Sequence, residues 1–409
     1  MDTVAVIGAG PAGILAAGTA SKQGKKVFLF ERNSNIGKKL LITGNGRCNI
    51  TNNCDIENFI NNVVNNNSFM YSAFYTFTNI DTINLLESFG VQIKTEKDNR
   101  CFPKSNKAID IINALNKYLL SNGVTILKNT RVKDITLNKN GTFTIYLNNK
   151  KSMTFNKVIL ATGGKSYPQT GSTGDGYIFA NKLGHTIIKP KPALVPIKLK
   201  DTRIKKLQGI SLNNVKLTAY LNDKKIHEQK QTGEIVFTHF GISGPAALSL
   251  SSYINRYSID KINLEIDFFP DYNFEHLENL IKSLFTKHQQ KNICNTLCEI
   301  LPKKVIIYLL DTLNIPFDKR TNDVTKNEKY EIINGLKKFS LNYNGLKSIE
   351  HAIVTSGGIS TKEINPSTME SKLIKGLFFA GEIIDVDALT GGFNIQIALS
   401  TGYLAGLNC

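Results

Sequence analysis

Residues 3–24, TVAVIGAGPAGILAAGTASKQG, constrain this chain more than any other stretch. A short apolar, β-branched strand ends in GAGPAG, and a helix of small residues follows and stops at Gly24. Gly8 permits a tight turn, Gly10 lets backbone approach a pyrophosphate, and Gly13 allows helix and strand to pack closely. Pro11 and Ala12 open the helix, whose unpaired amides would face the phosphates. The second strand, KKVFLFER, brings Glu31 to where a carboxylate takes the adenosine ribose hydroxyls. That acid disfavours a 2′-phosphate, so FAD or NAD fits better than NADP.

At 409 residues the chain exceeds what one hydrophobic core usually serves, so two or three domains are expected. No run approaches the roughly 20 apolar residues that span a bilayer, and the N-terminus has no secretory pattern, which points to a cytosolic protein and no membrane partner. The cysteines Cys48, Cys54, Cys101, Cys294, Cys298 and Cys409 form no CxxC pair and have no histidines at metal spacing. Reduced thiols and no metal are therefore expected. The formal net charge is +17, high for an enzyme of small molecules, and it points to a polyanion. Of the 50 basic residues 43 are lysine, as an AT-rich genome would favour, but codon bias explains the excess of positive charge only in part.

Residues 106–122 carry apolar side chains at helical spacing behind Asn106 as the expected cap. The strands VTILKN, RVKDITLN and TFTIYLN follow, the last two joined by a hairpin turn at KNG, 139–141. NNVVNNN reads as a short solvated helix or loop. KVILATGG is a buried strand ending in a second glycine turn, with Ala161, Thr162 and Gly163 near the dinucleotide. The prolines of KPKPALVPIKL, 189–199, mark a domain crossing. Strand-like sequence then runs to about 270, followed by Lys-rich helices between 275 and 335. From about 345 the opening style returns in GLFFAGEIID and TGGFNIQIALSTGYLAG, so one nucleotide-binding domain is built from both ends of the chain. No second GxGxxG exists, and a separate NAD(P)H domain is not visible.

Several long motifs occur in order: GKKLLITGNGRCNITN, RCFPKSNKA, VILATGGKSYPQTGSTGDGY, FTHFGISGPAALSLS, VTSGGIS and NPSTMESKLIKGLFFAGEIIDVDALTGGFNIQIALSTG. With GAGPAG, these resemble the BaiN/RdsA-type flavoproteins, also called YhiN-like, nearly end to end. The resemblance implies an α/β fold with a discontinuous Rossmann-like FAD-binding domain, an inserted β-rich, barrel-like domain and a small helical domain. The expected boundaries are 1–190 and 356–409 for the FAD domain, 191–274 and 336–355 for the β-rich domain, and 275–335 for the helices. FAD contacts are implied at Gly10, Pro11, Ala12, Gly13, Glu31, Arg32, Lys38, Lys39, Gly46, Val132, Ala161, Thr162, Gly163, Gly381, Glu382, Asn394 and Ile395. GGFN has Phe393 where the family commonly has Tyr.

The resemblance also implies reduction of an activated C=C bond. The expected substrate is a uridine of large-subunit ribosomal RNA, with NAD(P)H as reductant; the alternatives are a small-molecule ene-reductase or NAD(P)H oxidase, and an assembly factor holding FAD structurally. Such a reaction needs a donor at the activating carbonyl and an acid nearby. Arg47, Cys48 and Asn49 offer a cation, a thiol and an amide after GNG, with Arg100 and the rival thiol Cys101 in NRCFP. Each also has a structural reading: Cys48 as a buried small hydrophobe, Arg47 as the partner of a phosphate or carboxylate, Asn49 as a turn residue. The loop YPQTGSTGDGY could hold phosphate, cover the flavin or act as a rigid cap, and His239 is the one histidine inside a motif. Lysines of KKLQGISLNN, KHQQKN and LPKK could grip a polyanion. A target uracil would have to be flipped out of its stack.

Overall fold

The strand Thr3–Ile7 is the middle of a five-stranded parallel sheet in the computed structural model, which describes residues 2–228 and 232–409. Its neighbours are Lys26–Phe30, which pairs on with Thr125–Leu127, and Lys157–Leu160, which pairs on with Leu377–Phe379. Val4, Ala5, Val6, Val158, Ile159 and Leu160 have no exposed surface, as expected for strands covered on both faces. The last strand comes from the far end of the sequence, so the sheet needs both termini.

The helix Pro11–Lys22 begins with proline at its first turn and ends before Gly24, which is left-handed. It packs against the C-terminal helix Phe393–Asn408 through small residues. A Cβ on Gly402 would strike the Ala12 carbonyl, and one on Gly406 the Ala16 carbonyl. Because 402 meets 12 and 406 meets 16, the helices run parallel. At 1.5 Å per residue, the C-terminal helix starts about 12 Å ahead of the first one.

Two local expectations are corrected. The helix over 106–122 spans Ala108–Ser121 with Lys107 at the cap position, and Asn106 caps nothing. Its carboxamide oxygen accepts from Arg47 instead. NNVVNNN is only partly the solvated helix or loop expected: Asn61 and Asn62 end the helix Ile56–Asn62, but Val63–Asn65 is a strand paired with Asp387–Ala388, and Asn65 and Asn66 donate to Asp385. These partners lie some 320 residues away and leave no local pattern.

The chain divides into one unit of residues 1–193 and 348–409 and another of 194–347. In the second, Ser211–Leu221 pairs on one side with Gly233–Thr238 and on another with Ile262–Asp267. With Gly241–Ser243, Ile197–Leu199 and Phe339–Leu346 completing the circuit, six antiparallel strands close into a barrel. Phe339, Leu341 and Tyr343 alternate inward. Between its last two strands the barrel carries the helices Phe274–Lys287, Ile293–Leu297, Lys303–Thr312 and Lys326–Lys337. Asn273 caps the first and a Thr325–Glu328 capping box the last.

Candidate active site

The site is assembled in the first unit from three glycine turns. At GAGPAG, Gly8 has φ +103°, and a Cβ there would sit 2.5 Å from the Ala161 carbonyl. A Cβ on Gly13 would strike the Gly8 carbonyl, so strand and helix touch through backbone. Gly10 has nothing within 4 Å of where its Cβ would be, and no side chain caps the helix. An open approach to unpaired amides results, which suits a pyrophosphate.

The second turn, Ala161–Gly163, crosses directly above, with the Ala161 amide on Ile7. Thr162 has a buried hydroxyl without a protein partner. At the third turn, Gly381 donates its amide to Thr401, and a Cβ on it would meet Ala12 at 2.8 Å. The three turns predicted from separate motifs are thus contiguous.

Glu31 is buried, and its carboxylate accepts from the Ala9 amide at 3.0 Å and from the Asn33 amide and carboxamide at 2.8 Å. These donors fix the carboxylate beside the phosphate turn and leave acceptor capacity for ribose hydroxyls. Val132 begins a strand just after Asn129 and Thr130, whose amides bond Asn33 and Glu31. Arg32 turns away and donates to Gly171 and Thr173. Asn33 bonds the Thr170 carbonyl, and Arg131 forks onto Asp175 at 2.9 and 3.0 Å. The loop 167–177 is therefore pinned to the segments around Arg32, Asn33 and Arg131.

Lys39 bonds Glu382 at 2.7 Å and Ser166 at 2.5 Å. Ser166 donates to the other Glu382 oxygen, which also accepts from the Thr355 amide at 2.8 Å. Burial works to raise the Glu382 carboxyl, but the Lys39 ammonium and these hydrogen bonds outweigh it and hold the group below the usual carboxylate range. Ser166 and Thr355 were not singled out from sequence, although both lie in quoted motifs. Lys38 is exposed. Asn394 spends its carboxamide on the Ala388 and Leu389 backbone, so the expected cofactor contact there reduces to backbone amides at the helix start, shared with Ile395.

Residues 37–53 run alongside these turns. The Gly37 amide bonds Ala9, Thr51 bonds Gln396, and Asn52 bonds the Gly391 carbonyl. Thr51–Asn52 then pairs with Arg100–Pro103, and that strand with Ile93–Thr95, so GNGRCNITN and NRCFP form one small sheet. Gly46 is left-handed and open.

Three candidates on this sheet take unequal positions. Cys48 is fully buried, and burial pushes its thiol up to about 12, which favours the packing reading. Arg47 pairs with Glu96, bonds Asn106 and sits over the Phe102 ring at 4.1 Å, so the local-carboxylate alternative holds. Asn49 has a buried, unpartnered Oδ1, and Arg100 a buried, unpartnered Nε. Cys101 is buried beside Thr95 and Asn99. His239 is exposed and belongs to the other unit.

Residues 2–408 match the family described as HI0933-like protein Rossmann domain. The chain belongs to this family. It is 33% identical over 409 residues to a ribosomal RNA dihydrouridine synthase of Haemophilus influenzae, covering 98% of this chain and 97% of the relative. It is 31% identical over 410 residues to a 3-dehydro-bile acid delta(4,6)-reductase of Clostridium scindens, covering 99% and 98%. Among solved structures, the 3-ketosteroid-delta4-(5alpha)-dehydrogenase of Rhodococcus jostii RHA1 aligns with a TM-score of 0.52 at 15% identity, covering 99% of this chain and 96% of that one, and shares its fold.

This HI0933-like protein is an oxidoreductase with FAD as its cofactor. The donor set fits that group. The open Gly10, the uncapped helix, the oriented Glu31 and the orphaned Thr162 hydroxyl lie where a dinucleotide needs close backbone, an anion site and polar partners. Among the described residues no cluster of His, Cys, Asp and Glu could hold a metal, and no helix is long and apolar enough to cross a membrane.

Proposed function

We propose that this protein reduces a uridine of large-subunit ribosomal RNA to dihydrouridine. The observation that carries the choice of substrate is a pair of buried, unpartnered polar atoms on the two segments joined at Thr51–Cys101, the Asn49 Oδ1 acceptor and the Arg100 Nε donor. Orphaned buried acceptors and donors demand partners. A uracil brings both an N–H and a carbonyl, whereas a steroid enone brings only the carbonyl. Two full-length relatives named ribosomal RNA dihydrouridine synthase and the net charge of +17 support the same reading.

Bound and reduced, FAD would supply a hydride to one carbon of the activated C=C bond, and the other carbon would take its proton from water. Arg100 donates to the uracil carbonyl as negative charge develops there. Asn49 accepts from the ring N–H and fixes which face is presented. Arg47, fixed by Glu96, Asn106 and Phe102, offers its guanidinium for stacking the base. Lys39, Ser166 and Thr355 hold Glu382 at the third turn, where it and the amides of Asn394 and Ile395 bind the cofactor. NAD(P)H is the proposed reductant.

Purified protein given NADH or NADPH and an unmodified ribosomal RNA fragment should form dihydrouridine. Asn49→Ala should lower kcat/KM on that RNA roughly tenfold or more while leaving reduction of a small enone within about twofold. Equal losses on both would assign Asn49 to the cofactor. An enone turned over readily, with no reaction on RNA, would favour the bile-acid relative's kind of substrate.

A further inference from the structure

The small sheet at the substrate loop has two unlike faces. Thr51 pairs opposite Cys101 and Asn52 opposite Arg100, while Lys94 and Thr95 pair with Phe102 and Cys101. Side chains alternate along a strand, so Thr51, Cys101 and Pro103 enter the core. Lys94, Glu96, Arg100 and Phe102 share the opposite face, with Arg47 lying on Phe102. Lys94 and Arg100 keep 31% and 38% of their side chains exposed.

Charge is concentrated around this face. Residues 92–107 hold five basic side chains and two acidic ones. Glu96 is taken by both Arg47 and Lys94, and Asp98 lies 3.5 Å from Arg100. Lys97, Lys104 and Lys107 are exposed, and none of them forms an ion pair among the described residues. The second unit, by contrast, spreads 23 basic and 16 acidic residues over its 194–347 span. Exposed lysines in the segments flanking this strand, with an arginine over its aromatic ring, match a polyanion whose units carry flat bases.

We propose that this face is an RNA-docking surface, with backbone phosphates on Lys97, Lys104 and Lys107, and that it leads the strand toward the adjoining loop at 44–53. The inference rests on the uridine reading above. It differs from the lysines of the second unit, which the sequence alone also offered.

Binding of a fluorescent twenty-nucleotide oligouridylate by the FAD-loaded protein, measured from about 50 to 200 mM salt, tests the surface. Each lost contact to a single strand removes about 0.7 from the slope of log affinity against log salt. Lys97→Ala/Lys104→Ala/Lys107→Ala should therefore flatten the slope by about 2 and weaken binding at 50 mM by tenfold or more. Lys139→Ala/Lys150→Ala/Lys151→Ala, equally exposed in the same unit, should keep the wild-type slope. An unchanged slope in the first variant, or an equal loss in the second, overturns the surface. Poly-glutamate bound as tightly as the oligouridylate overturns it in favour of an acidic protein partner. Dihydrouridine formation by a wild type whose first variant binds normally would leave the uridine reading standing; a wild type that neither binds nor modifies RNA removes both.

Discussion

Cys48 occupies a left-handed turn with φ +61°, has no exposed surface and packs in the core of the first unit. Truncating a buried thiol removes one heavy atom, so Cys48→Ala should cost about 1 kcal/mol of stability and leave turnover near wild type. Denaturant unfolding and a turnover assay check both; FAD retained with turnover lost would return the thiol to the chemistry. Glu382 gives a prediction with a definite sign. Its folded carboxyl lies below its unfolded value, so its contribution is complete above the unfolded value, about 4.3, and fades as pH falls through the folded one. Melting from pH 6 to pH 3 should show wild type losing more thermal stability than Glu382→Gln, with the two curves converging at the acid end. Parallel curves would mean that the Lys39 contact adds nothing to the folded state.

At the scale of elements, the two parallel helices separate packing from binding. Gly10 faces open space, so Gly10→Ala should leave the apoprotein's stability unchanged and weaken FAD binding tenfold or more, because the new methyl occupies the pyrophosphate's approach. Gly402→Ala drives a methyl into the Ala12 carbonyl and should cost about 1–3 kcal/mol by overpacking. Chemical denaturation of apoprotein alongside flavin titration reads the two effects. A destabilised Gly10→Ala protein, or one with normal FAD affinity, would show that the turn is built for folding alone. The opening turn was legible because strand, glycines, helix and Glu31 lie within 31 residues and each glycine meets a local need. Asn106 was misread for the complementary reason: its partner, Arg47, is 59 residues away, and an Asn before a helix looks the same whether it caps or accepts.

For the whole molecule, composition and motif order conveyed the discontinuous domain, since the terminal strand Leu377–Phe379 and its glycine turn resemble the opening of the chain. The barrel was expected only through the family resemblance and not from pattern, because its closure depends on Ser211–Leu221 pairing with two other strands in registers that no periodicity specifies. The Lys39–Glu382 pair spans 343 positions and was likewise visible only as two separate motif residues. The positive charge belongs to this scale too: a net +17 pointed to a polyanion, and only the folded sheet singles out which lysines stand beside the candidate site. The central claim is that this HI0933-like oxidoreductase reduces a ribosomal uridine. Mass spectrometry of large-subunit RNA from cells lacking the gene should show one dihydrouridine lost and restored by the wild-type gene; an unchanged dihydrouridine content would contradict it.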